Sequence, residues 1–179
     1  MDASAADRPG FAALVRAVPD FPSPGIVFRD VMPLLADADG FAAAIAALAA
    51  PWRGAGIRAV AGIEARGFIF AAAMARALDA GFVPLRKPGK LPGALLEVDY
   101  ALEYGRDRLQ VQADALDPGA RVLLVDDVLA TGGTLGAAAR LLAALQVELV
   151  GATVLVEIEA LGGRKKSGIA QPLVSVLRY

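Results

Sequence analysis

The chain has 179 residues, with 18 Lys and Arg against 19 Asp and Glu, and contains neither Cys nor His. The near-neutral balance excludes a general basic footprint for nucleic acid, and the lack of Cys excludes disulfides and zinc–thiolate sites. Without His, an acid–base catalyst must be Asp, Glu, Lys or Tyr, with carboxylates first.

The length suits one domain with a sizeable core. Residues 1–10 are small and charged and lack the apolar stretch of a signal peptide. The longest apolar run, residues 41–51, is mostly Ala and far short of the roughly 20 residues that span a bilayer. Together with the missing Cys, this is compatible with a cytoplasmic protein.

Residues 11–18 read as a short amphipathic helix ended by Pro19. In residues 21–30, two prolines and a glycine argue against a regular element and stiffen the segment. A stiff loop can hold a flat ligand between backbone groups and an aromatic ring. Phe28 is either that stacking face or a core residue. Residues 40–50 read as a helix.

Residues 57–63 read as a buried strand that runs through Glu64, Ala65, Arg66 and Gly67 into a helix carrying Phe70, Ala73, Met74 and Ala77 on one face. Arg66 offers a planar fork suited to phosphate oxygens, or is a surface residue at a helix start. Residues 82–85 form a third strand. It enters a stiff basic loop with Arg86, Lys87, Lys90 and two prolines. Such a loop is a solvated face or, at a strand end on a ligand-binding edge, a diphosphate site. Residues 94–112 alternate weakly around a turn at 104–107 and read as a two-stranded flap bearing Glu97, Asp99, Tyr100, Glu103 and Tyr104. Flaps of this kind close over reactive sugars and exclude water.

Residues 121–134 carry the strongest signal. Four consecutive apolar residues, Val122, Leu123, Leu124 and Val125, read as a strand buried on both faces of a parallel sheet. Asp126 and Asp127 close it, and a short loop of Ala130, Thr131, Gly132, Gly133 and Thr134 follows. Leu135, Ala138, Leu142 and Leu145 then fall at helical spacing. The first amides of a helix have no intrahelical partner, and its dipole places partial positive charge there. Glycines allow a close backbone approach and threonines add donors, so the loop suits a phosphate monoester. The two acids would repel that phosphate. They suit ribose hydroxyls, or a magnesium ion that arrives with the ligand. Both reach one sugar only if the strand end twists, because adjacent side chains point to opposite faces.

No Walker A string occurs in the chain, and no Gly-x-Gly-x-x-Gly sits in this loop. Residues 151–158 and 173–177 read as further strands. The basic turn at 161–166 reads as solvated surface.

The run Val-Asp-Asp-Val-Leu-Ala-Thr-Gly-Gly-Thr resembles the phosphoribosyl-pyrophosphate signature of the type I phosphoribosyltransferases. From Phe21 to about Tyr179 the chain is similar to those members that act on adenine. The resemblance implies an α/β fold: a mostly parallel central sheet flanked by helices, a small hood from about residues 1–35 and a flexible flap at about 94–112, all in one domain. It implies transfer of the phosphoribosyl group from 5-phosphoribosyl 1-pyrophosphate to adenine, giving AMP and pyrophosphate, with Mg2+ on the diphosphate and none bound directly by protein. Asp126, Asp127, Ala130, Thr131, Gly132, Gly133 and Thr134 would hold the ribose and its 5′-phosphate. Arg66, Arg86, Lys87 and Lys90 would hold pyrophosphate. Val27, Phe28 and Arg29 would hold adenine, with Phe28 stacked on the base, and Glu103 matches the family's catalytic glutamate. A homodimer is expected on the same ground. Transfer to another purine, or a regulatory protein that binds the sugar phosphate without catalysis, are the alternatives.

Overall fold

The computed structural model describes residues 9–101 and 106–179, which fall into two compact units divided after Ala47. In the first unit a 3-10 turn, Gly10–Leu14, leads into strand β1 (Arg16–Pro19). This replaces the helix expected over residues 11–18. Phe11, Leu14, Val15 and Val18 do fall at helical spacing, but a run of eight residues ended by Pro19 is too short to hold a helix by itself. β1 pairs antiparallel with β2 (Val27–Asp30), so the end of the Pro-rich stretch is a strand rather than a loop. The two prolines and Gly25 lie before it. Buried Asp30 accepts from Arg16 Nη2 at 2.5 Å and from the Met32 amide at 2.9 Å, which ties β2 to α1 (Met32–Ala36). Helix α2 (Ala38–Ala49) follows.

The second unit is built on five parallel strands: β3 (Ala59–Ile63), β4 (Gly81–Leu85), β7 (Arg121–Leu129), β8 (Glu148–Glu157) and β9 (Leu173–Arg178). They form one sheet in the order β4-β3-β7-β8-β9. Between β4 and β7 the chain makes an antiparallel hairpin, β5 (Leu95–Ala101) with β6 (Arg106–Gln112), which matches the expected flap. Helix α3 (Gly67–Ala77) links β3 to β4, α4 (Gly133–Ala144) links β7 to β8, and the short α5 (Gly163–Lys166) precedes β9.

Residues 122–125 are fully buried, as the unbroken apolar run requires. Alternate residues serve opposite faces. Ala59, Ala61, Val122, Leu124, Ala152 and Val154 of the sheet join Leu109 and Val111 of the hairpin and Ala138 and Leu142 of α4 in one core. On α3, Phe70, Ala71 and Met74 are buried. A Cβ on Gly62 would stand 2.6 Å from the Ala71 methyl, so helix and sheet meet there as closely as a bare backbone permits.

From β3 the chain steps outward to β4. After the hairpin it returns to β7 and proceeds the other way through β8 to β9. The strand order therefore reverses between β3 and β7. In open parallel sheets the crevice at such a reversal, beyond the carboxyl ends of the strands, is where ligands bind.

Candidate active site

Strand β7 outruns β3 at this crevice. Pairing with β3 ends at Gly62–Val125, whereas pairing with β8 continues to Leu129–Glu157. The two acids therefore do not close the strand, as the sequence suggests; Asp126 and Asp127 lie within it, on the edge that β3 no longer covers. Asp127 is buried, and its Oδ2 lies 2.5 Å from Arg66 Nε. The Asp127 amide donates to Asp126 Oδ1 at 3.0 Å. A Cβ on Gly67 would come within 2.7 Å of that same oxygen, so the glycine that opens α3 lets the Asp126 carboxyl in. Burial, and then the neighbouring Asp127 charge, push the Asp126 carboxyl well above the ordinary range, with Arg66 opposing.

Beyond β7, Gly132 takes a left-handed φ of 86° and α4 starts at Gly133. Asp126, Ala130, Thr131, Gly132, Thr134 and Leu135 line a pocket of about 70 Å³, the scale of one tetrahedral anion rather than a nucleotide. The α4 amides open there. Gly132 serves protein packing: a Cβ on it would overlap the Gly163 carbonyl.

The basic loop after β4 is organised by Glu64, a residue to which the sequence alone assigns no role. Its carboxylate accepts from Arg86 Nε and Nη2, both at 3.2 Å, and from the Lys87 amide at 2.8 Å. Burial alone would raise this carboxyl, but the Arg86 and Lys87 hydrogen bonds and the charges of Arg86 and Lys90 hold it below its usual value. Arg86 also lies over the Phe68 ring, 5.7 Å from its centroid. The Lys87 side chain turns to the hairpin instead, donating to Tyr100 Oη at 2.6 Å and to Asp107 Oδ2. Lys90 is exposed.

In the first unit, Phe28 is half-buried and meets Phe21 edge-on, with ring centroids 5.2 Å apart. The Val27 side chain is exposed. Pro19, opposite Val27, has no amide hydrogen, so that pair cannot exchange two bonds. By the alternation of an antiparallel ladder, Val18–Phe28 is the bonded pair, and the main-chain groups of Val27 and Arg29 are directed to the outer edge of β2. Glu103 lies outside the described residues.

The basic turn at 161–166 is not simply solvated surface. Arg164 donates to buried Glu157 from Nη2 at 2.6 Å, and α5 backs the loop from Ala130 to Thr134. The signal in the sequence is an acid that follows the apolar run Val154, Leu155 and Val156, with an arginine seven residues on. Among the described residues no three of Asp, Glu, Cys or His converge as a metal site. The Asp126–Asp127 pair supplies hard oxygens suited to a magnesium ion whose remaining ligands come with a diphosphate.

Comparison with known proteins places this geometry. Residues 34–172 match the family model described as phosphoribosyl transferase domain. The chain is 59% identical over 165 residues to the adenine phosphoribosyltransferase of Xanthomonas axonopodis pv. citri, covering 92% of this chain and 89% of that protein. The crystal structure of the Rhodothermus marinus adenine phosphoribosyltransferase superposes with a TM-score of 0.89 at 46% identity, over 94% of this chain and 96% of that one. The Giardia lamblia enzyme in complex with 9-deazaadenine gives a TM-score of 0.89 at 42% identity, over 94% and 96% of the two chains. With an Asp pair at a strand-order reversal, a phosphate-sized loop beside it and these relatives, the chain belongs to the adenine phosphoribosyltransferases of the phosphoribosyltransferase family.

Proposed function

We propose that this chain transfers the 5-phosphoribosyl group of 5-phosphoribosyl 1-pyrophosphate to adenine, releasing pyrophosphate and forming AMP. The observation that carries the reading is the juxtaposition at the end of β7: two carboxylates beside a pocket of about 70 Å³ that opens on the start of α4. This arrangement suits a ligand with a compact anion at one end and hydroxyls beside it. A ribose 5-phosphate has that form. The relatives named for this activity support the reading.

In this reading the amides of α4 with Thr131 and Thr134 hold the 5′-phosphate, and Asp126 and Asp127 accept from the ribose hydroxyls. Arg66 and the basic loop with Arg86 and Lys90 face the diphosphate. Lys87 reaches it only by leaving Asp107 and Tyr100. A magnesium ion brought in with the diphosphate would, when bound, neutralise charge on the leaving group. As the bond from ribose C1 to pyrophosphate breaks, positive charge grows on the sugar, and the carboxylates nearby favour it. Adenine N9 forms the new bond from the opposite face. Glu103, assigned through the family resemblance, handles the proton on the base. Val27 and Arg29 read the edge of the base through their main chain, and Phe28 offers its ring face. The protein acts as a cytoplasmic homodimer.

A pyrophosphate-release assay with adenine, hypoxanthine, guanine and xanthine in turn tests the assignment. Adenine presents a donor at C6 and an acceptor at N1, and hypoxanthine the reverse. A fixed main-chain reader should prefer adenine by about 10³- to 10⁵-fold in kcat/KM. Ala at Val27 or Arg29 should leave the preference intact. A preference below about tenfold, the worth of a single methylene, removes main-chain reading. No release with any purine removes the enzyme assignment and leaves a sugar-phosphate-binding protein.

A further inference from the structure

Glu157 closes β8 with 5% exposure, and a carboxylate at that depth stays ionised only with partners. Arg164 of α5 supplies them, with Nε 3.1 Å from Oε1 and Nη2 2.6 Å from Oε2. The same Nη2 donates to Ser175 Oγ on β9 at 2.8 Å, and Nη1 donates to the Leu173 carbonyl at 2.5 Å. Ser175 Oγ in turn lies 2.5 Å from Glu157 Oε2. One guanidinium thus fastens α5 to the ends of two strands. A helix of four residues has no stability of its own, so α5 stands where this network puts it.

The other side of α5 touches the phosphate loop, and it does so backbone to backbone. A Cβ on Gly132 would overlap the Gly163 carbonyl and stand 2.9 Å from the Ser167 nitrogen. A Cβ on Gly163 would overlap the Ala130 carbonyl, and one on Gly136 would stand 2.5 Å from the Ser167 carbonyl. These contacts lie on both sides of Thr131 and at the first turn of α4. Between backbones there is no rotamer to absorb a displacement. A shift of α5 is therefore a shift of Ala130, Gly132 and the amides that follow.

We propose that Arg164, locked by Glu157 and Ser175, is a positioning residue for the 5′-phosphate: through α5 it sets the spacing of the loop from Ala130 to Thr134. The inference rests on the reading of that loop as the phosphate site. It makes a selective demand. 5-Phosphoribosyl 1-pyrophosphate and AMP both carry the 5′-phosphate and depend on Arg164, whereas free pyrophosphate, held by the other loops, does not.

The test uses the full chain with Arg164→Met, Arg164→Lys and Gly163→Ala, each below its melting temperature. Titration calorimetry with AMP and with magnesium pyrophosphate gives affinities, and turnover gives kcat and KM. Arg164→Met should weaken AMP and raise KM for the sugar diphosphate by about ten- to a hundredfold, as weakened charged hydrogen bonds would. Pyrophosphate affinity and kcat at saturation should stay close to wild type. Arg164→Lys, a point charge without the fork, should recover part of the loss. Gly163→Ala, which displaces the loop from the same side, should reproduce the AMP defect with the network intact; Arg164→Lys decides the matter if Arg164→Met does not fold. Unchanged AMP affinity in folded variants overturns the proposal. So does a parallel loss of AMP and pyrophosphate, which would mark a general structural role. A wild-type protein that binds pyrophosphate but not AMP would instead overturn the phosphate-loop reading itself.

Discussion

Asp126 combines a place in the wall of the pocket at the start of α4 with an unfavourable electrostatic position. Folding buries its carboxyl beside Asp127, and only part of the resulting strain is relieved by Arg66. Because its pKa is raised on folding, the associated stability is full below the unfolded carboxylate range and is lost as pH rises through the raised value. Asp126→Asn should therefore raise Tm at pH 8 by about 2 to 4 °C, the equivalent of about 1 kcal/mol in a chain of this length. It should give no gain at pH 4. The same substitution should weaken 5-phosphoribosyl 1-pyrophosphate by about five- to a hundredfold through lost charged hydrogen bonds. Thermal melts at both pH values and one titration check this; lower stability at pH 8 would show that the attraction of Arg66 outweighs the repulsion. The acid pair is legible in the sequence because both members stand in one run with the threonines and glycines they serve. Glu64 is not, since its partners Arg86 and Lys87 come 22 and 23 positions later and meet it only through the pairing of β3 with β4.

The hairpin is the element most directly tied to the basic loop. Arg86 and Gln110 exchange both backbone hydrogen bonds, at 2.9 and 2.8 Å, and Lys87 fastens Tyr100 and Asp107 across the two strands. Burial opposes the charge on each partner, but the Lys87–Asp107 contact prevails, raising the lysine and lowering the acid. The latch is thus complete between the ordinary carboxylate and lysine ranges. It weakens as pH falls through the lowered Asp107 value or rises through the raised Lys87 value. Lys87→Met should speed amide exchange in β5 and β6 at pH 7 by about five- to thirtyfold, the loss of about 1 to 2 kcal/mol of local stability, and leave β7 and β8 unchanged. Equal protection of the hairpin in both proteins would remove the latch. Strands β3, β7 and β8 and helix α4 are legible because long apolar runs or a clear stripe leave one solution. The stretch at 11–18 is not, because Phe11, Leu14, Val15 and Val18 match helical spacing over a run too short to fix an element.

At the scale of the molecule, Glu64, Asp107 and Glu157 share one electrostatic condition. Burial would raise each carboxyl, yet the cations around it hold it below its ordinary value. Each contributes stability that is present above the unfolded carboxylate range and is lost as pH falls through the lowered value. Asp126 carries the opposite sign, one group against three among the described residues. With no His in the chain, no side chain of ordinary pKa titrates between about pH 5.5 and 8. Tm should change little from pH 8 to 6 and fall steeply below about pH 4.5. A flat profile down to about pH 3.5 would show that these ion pairs add nothing to folding. The α/β class follows from the alternation of apolar runs with helical stripes. The order of the strands does not, because buried parallel strands of Val, Leu and Ala do not encode which neighbour they choose.

That order has a consequence for how the protein is made. Its central strand, β7, is also a late one: the first β3–β7 partners, Ala59 and Val122, are 63 residues apart in the chain (122 − 59). At about 5 to 20 residues per second of synthesis, β3 waits roughly 3 to 13 seconds for the strand that completes its inner side. During that interval the nascent chain exposes an open parallel edge of nearly unbroken apolar sequence. Ribosome-stalled chains ending before Arg121 should therefore be protease-sensitive across β3 and β4, and those that include β8 should not. A chaperone that recognises short hydrophobic strands has its window in that gap.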